Sequence, residues 1–110
     1  MGENRKRPRF RIANTVRCED LIDNRPFYTV IRDISSGGIK LTSEDFIGID
    51  RQVRVKINLV DASVEGLGKV VWCNQQPYSN RFQIGIEFTD INSTGQKVLE
   101  NFIGTIESLS

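Results

Sequence analysis

Two short stretches carry side chains whose types and spacing suit them to hold an anion and a base. The first is Arg5-Lys6-Arg7-Pro8-Arg9-Phe10-Arg11. Five cations within seven positions repel one another, so an anion is their natural partner. A guanidinium fork matches a phosphate with two parallel bonds, and its flat face can stack on a purine or donate to guanine O6 and N7. The second is Asp33-Ile34-Ser35-Ser36-Gly37-Gly38. A carboxylate and a hydroxyl two residues apart on an extended segment project to the same face. The two glycines permit a sharp turn through backbone angles that a Cβ forbids, and they let a ligand or another backbone come close. Asp33 can accept from guanine N1–H and N2–H, and Ser35 can bond a phosphate or a base edge. Each stretch also has a plain reading, as a solvated basic tail and as an ordinary Asp/Ser/Gly turn. They become informative together.

The elements that must position these groups read mostly as strands. Val16 and Cys18, with Leu21 as a third apolar position, alternate with polar neighbours, and Asp23-Asn24-Arg25-Pro26 supplies a turn. Phe27–Ile34 is rich in β-branched and aromatic residues, and Ile39–Thr42 is a short strand. Val53, Val55, Ile57 and Leu59 alternate with Arg54, Lys56 and Asn58, the pattern of a half-buried antiparallel strand. Asp61-Ala62-Ser63 is a turn. Val64–Cys73 is a long strand that Gly66 and Gly68 should bulge or coil. After a loop around Pro77, Phe82, Ile84, Ile86 and Phe88 alternate again. Only the end changes period: Ser93 with Gln96 fits a capping box, and Val98, Leu99, Phe102, Ile103 and Ile106 share one helical face. About six strands and one amphipathic helix predict an all-β fold, a small closed antiparallel barrel covered by that helix.

Composition narrows the chemistry further. The 110 residues suit one domain with one core. Net charge is only +1 but unevenly spread: residues 1–11 hold five basic side chains against Glu3, a balance of +4, and residues 12–110 hold ten against thirteen, a balance of −3. There is no histidine, which removes the commonest general base and zinc ligand and every Ser-His-Asp or Cys-His arrangement. Cys18 and Cys73 have no paired metal-knuckle spacing and read as reduced, semi-buried small hydrophobes, with a disulfide left open. An enzyme is therefore not expected, nor a cofactor. No apolar run approaches the ~20 residues of a membrane span. The basic start is not followed by a hydrophobic segment, and Lys6 stands where a myristoylation signal after Gly2 wants Ser or Thr. The expected location is the cytoplasm, without membrane insertion.

The pattern R-x-x-x-R followed some twenty to thirty residues later by D-x-S-x-x-G resembles the PilZ domain family. Arg5 and Arg9 fill the first motif and Asp33, Ser35 and Gly38 the second. Arg7 and Arg11 also satisfy the first spacing. Arg5 and Arg9 are preferred because the family often has Pro before and an aromatic after the second arginine, as in Pro8-Arg9-Phe10. Gly68-Lys69-Val70-Val71-Trp72 and Gly85-Ile86-Glu87-Phe88 are similar to the family's later strands. The resemblance implies a six-stranded antiparallel β-barrel with a C-terminal amphipathic helix, binding cyclic di-GMP on its outer face. It implies ligand-binding roles for Arg5, Lys6, Arg9, Asp33, Ser35 and Gly38. Trp72 is a further candidate, although a lone tryptophan on a strand often serves packing alone. The expected division is a ligand-binding arm over 1–14, the barrel over 15–92 and the helix over 93–110. The expected partners are cyclic di-GMP and a downstream protein that the sequence does not identify. The alternatives are a basic-arm nucleic-acid-binding barrel and a PilZ-like interaction domain that binds no ligand. The acidic balance of residues 12–110 argues against a long polyanion track.

Overall fold

The computed structural model describes residues 10–11, 14–59 and 62–109. Runs of alternating Val and Ile build its walls, because branched side chains pack well on a pleated surface and successive residues face opposite sides. The strands are β1 (Phe10–Arg11), β2 (Thr15–Asp20), β3 (Arg25–Ser35), β4 (Gly38–Ser43), β5 (Gln52–Asn58), β6 (Ser63–Gln75) and β7 (Phe82–Asp90), followed by helix α1 (Ser93–Leu109). All neighbours are antiparallel, in the order β1-β3-β2-β5-β6-β7-β4, and pairing of β4 with β3 closes the barrel. Six strands make the expected barrel with one C-terminal helix. The two-residue β1 is an addition.

The strand β3 is long enough to serve two partners on one side. Residues Arg25–Val30 pair with β2, and Asp33 and Ile34 pair with β1. Ile31–Ser35 pair with β4 on the other side. The interior holds Val16, Cys18, Ile31, Ile34, Leu41, Val53, Val55, Ile57, Val64, Val70 and Ile84, each at most 1% exposed. On α1, Leu99 joins this core, with Val98 and Ile103 packed against it, and the helix lies on β6.

Several local expectations are corrected. The third inward position of β2 is Asp20, not Leu21. Its buried carboxylate is held by Arg51 at 2.5 Å and by the Ile22 N–H at 2.8 Å. Burial alone would raise the Asp20 pKa. The Ile22 and Asp23 N–H groups and the Arg51 guanidinium more than offset that, and it falls below the usual carboxylate value. The turn before β3 is Leu21–Asn24, with Asn24 at φ 55°, and Pro26 lies inside the strand. Ser63 begins β6 instead of ending a turn, and residues 60–61 lie outside the described residues. The helix is capped by Asn92, whose side-chain oxygen accepts the Gly95 N–H at 2.7 Å, not by Ser93. Both cysteines are free, and burial first, then the Asp20 charge, pushes the Cys18 thiol up to about 12.

Candidate ligand-binding site

The side chains of a closed barrel alternate in and out, so a residue reaches the outer wall only if its strand is in phase. On β3 the inward positions are Phe27, Thr29 and Ile31, and strict alternation would send Asp33 inward next. The register against β4 shifts between Ile31 and Asp33. Arg32 is the extra residue of this bulge. The phase flips, Ile34 becomes fully buried and Asp33 faces out. The same device operates on β6. Val64, Gly66, Gly68 and Val70 face inward, but a register shift against β7 between Val70 and Trp72 leaves Val71 as the extra residue. Cys73 then packs against the core and Trp72 turns to the outer wall. A further shift lies between Leu67 and Gly68, but its extra residue is Thr89 on β7 and not a glycine of β6.

Strand register then aligns residues that are distant in sequence into two rows. Arg11 pairs with Asp33, Asp33 with Lys40, Lys40 with Gly85, and Gly85 with Trp72, across β1, β3, β4, β7 and β6. Beside it, Ser35 pairs with Gly38, Gly38 with Glu87, and Glu87 with Lys69. An open cleft of about 620 Å³ lies over these rows, lined by Asp33, Ser35, Gly38, Lys40, Trp72 and Glu87 among others.

The two outward glycines in these rows have different uses. A Cβ on Gly85 would overlap the Trp72 indole at Nε1 and Cε2, so the bare backbone is the seat of the ring. A Cβ on Gly38 would overlap the carbonyl oxygen of Ile86, so this motif glycine admits a neighbouring strand. No glycine among the described residues has positive φ, which corrects the expectation that Gly37 and Gly38 turn the chain through forbidden angles. The turn is instead tied by Ser35, whose Oγ accepts the Gly37 N–H at 3.2 Å.

Asp33 meets Lys40 at 3.0 Å, with side-chain exposures of 16% and 28%. The cleft thus offers a half-shielded carboxylate, an ammonium, a hydroxyl and an indole face. That set can bind a flat polar ring. Among the described residues no cluster of His, Cys, Asp or Glu is placed to hold a metal ion. Four of the seven sequence-selected positions, Asp33, Ser35, Gly38 and Trp72, line this one cleft. Arg5, Lys6 and Arg9 lie outside the described residues. Sequence reasoning did not select Lys40, Glu87 and Gly85. The available signal was Gly85 itself, an outward glycine in the otherwise clean alternation of Phe82–Phe88, where the only tryptophan of the chain needs a seat.

The family model of the PilZ domain matches residues 3–104. The chain belongs to this family. The fold of this PilZ domain is also similar to solved structures. For an inhibitor of motility from Bacillus subtilis, MotI/DgrA, the TM-score is 0.77 at 19% identity, covering 96% of this chain and 52% of that one. For MrkH of K. pneumonia in its c-di-GMP complex, it is 0.75 at 19%, covering 93% and 52%. For the PilZ domain of YcgR from Escherichia coli with c-di-GMP, it is 0.76 at 14%, covering 96% and 93%. The chain therefore spans about half the length of MotI/DgrA and MrkH, and nearly all of the isolated YcgR domain. No curated protein matches the sequence.

Proposed function

We propose that the cleft is a receptor site for cyclic di-GMP and that the chain is a ligand-binding regulatory module with no catalytic task. The observation that carries this is that Trp72, selected on β6, meets the Asp33, Ser35 and Gly38 motif of β3 and β4 on one outer cleft. Membership of the PilZ family and the c-di-GMP named in the YcgR and MrkH structures support the choice of ligand. A guanine base sits against the barrel with its N1–H and N2–H on Asp33. Ser35 contacts its edge, and Trp72 provides a wall.

The basic segment supplies the phosphate contacts. Because β1 meets β3 at Ile34 and Asp33, the chain joins the sheet beside the cleft, which supports Arg5, Lys6 and Arg9 as the residues that close over the two phosphates. In this reading 1–14 is the ligand-binding arm, 15–92 the barrel and 93–110 the helix. Docking of the arm changes the surface shown to a downstream protein, and ligand shifts that equilibrium only by preferring the docked state. We place this activity in the cytoplasm. Among the described residues no helix is long and apolar enough to cross a membrane.

Calorimetric titration with cyclic di-GMP tests the reading, with GMP and a linear dinucleotide as controls. Saturable heat with the cyclic ligand, lost in Arg9→Ala, is expected. No heat at tens of micromolar, where a specific site should fill, overturns it.

A further inference from the structure

Lys40 stands between the base-binding carboxylate and the indole seat, at a position that neither sequence motif contains. Its strand neighbours in the outer row are Asp33 on one side and Gly85 on the other. Its ammonium is 3.0 Å from Asp33 Oδ2, and both side chains line the cleft. Gly85 adds no side chain beyond it, and the Trp72 ring is seated on its backbone. An acceptor and a donor are thus fixed side by side on one surface, facing an opening.

The Watson–Crick edge of guanine has the complementary order. N2–H and N1–H donate, and O6, next to N1 on the ring, accepts. Adenine reverses this order, with an acceptor at N1 and a donor at N6. A carboxylate alone reads only the donor half of guanine. A carboxylate beside an ammonium reads both halves, and it sets a donor against a donor when adenine is offered.

We propose that Lys40 and Asp33 act as one guanine-reading pair, in which the Lys40 ammonium leaves its contact with Asp33 and donates to guanine O6 while Asp33 takes N1–H and N2–H. The proposal rests on the cyclic di-GMP reading and extends it to the choice of base. In the free protein the ion pair keeps both groups partly satisfied, so binding exchanges one set of charge-assisted hydrogen bonds for another.

The test is the preference for cyclic di-GMP over cyclic di-AMP, measured by calorimetric competition on the full chain. For Lys40→Met the preference should fall about tenfold, mainly by loss of cyclic di-GMP affinity, in line with the discrimination of a base contact made by lysine. Lys40→Arg, which keeps a donor to O6, should retain the preference within about threefold, and far-UV circular dichroism checks that both variants fold. If Lys40→Met weakens both nucleotides equally, Lys40 acts only through the charge of the phosphates and the proposal fails. It fails too if neither affinity moves. Wild-type protein that binds no cyclic di-GMP overturns the underlying reading and this proposal with it.

Discussion

The barrel carries two carboxylate–cation pairs that look alike in outline and differ in surroundings. Asp20 at the end of β2 meets Arg51 and is also held by the Ile22 N–H, with Asp23 at 3.5 Å from the same guanidinium nitrogen, Nη2. Asp33 on β3 has one ion-pair partner among the described side chains, Lys40, and opens onto a cleft. The first carboxylate is saturated by its own fold. Among the described residues, the second has the Lys40 ammonium as its one ion-pair partner and retains capacity for further hydrogen bonds. A carboxylate held on both oxygens fixes a turn, whereas one with capacity to spare beside an opening is available to a ligand.

Exchanging the roles of the two aspartates is the strongest way to break this comparison. Asp33→Ala should reduce cyclic di-GMP affinity about a hundredfold or more, since it removes two charge-assisted bonds, and should leave the melting temperature nearly unchanged. Asp20→Asn should do the reverse, lowering Tm by about 4–8 °C with affinity kept within about threefold. Equal loss of stability in both, or loss of binding in Asp20→Asn, would erase the distinction.

Gly85→Val should come next. Its side chain must displace the indole, so binding should fall about tenfold and the Trp72 emission should shift, with Gly68→Ala as a control that crowds the core instead, at 2.6 Å from Ile86 Cγ2.

Acid sharpens the contrast. The Asp20 pKa is lower in the folded than in the unfolded chain, so its contribution to stability is present in full above the ordinary carboxylate pKa of about 4. It disappears as pH falls through the folded-state value. Denaturant melts of wild type and Asp20→Asn should differ by a constant amount above about pH 5 and converge as acid protonates the folded-state carboxylate. The smallest effect is expected at Cys18, whose buried thiol is pushed up to about 12. At pH 8 it should resist alkylation in the folded protein and react once unfolded, as read by mass spectrometry.

How much of this was legible in the sequence divides along the same line. The alternations over Val53–Leu59 and Phe82–Phe88 and the final helical face are local signals, and they gave the barrel and its cover. Asp33, Ser35, Gly38 and Trp72 were legible as types in a motif. Their meeting was not, because it depends on two bulges at Arg32 and Val71 that reverse the phase of their strands. A period-2 reading carried past either bulge points Asp33 and Trp72 into the core. Lys40 was hidden for a related reason. It is an outward residue between Ile39 and Leu41, and only cross-strand register puts it beside Asp33 and Gly85. At the other end, Asp20 breaks the rule that inward strand positions are apolar, so a search for apolar residues moves on to Leu21. A guanidinium 31 positions away makes that carboxylate tolerable.

Backbone amide chemical shifts of the labelled protein, followed as cyclic di-GMP is added, test the site most directly. Saturable changes are predicted to concentrate on Asp33, Ser35, Lys40, Trp72, Gly85 and Glu87 and to leave Asp20, Ile22 and Arg51 in place. Shifts centred on the Asp20–Arg51 end, or none at all at saturating nucleotide, would contradict the assignment of the outer cleft as the receptor site.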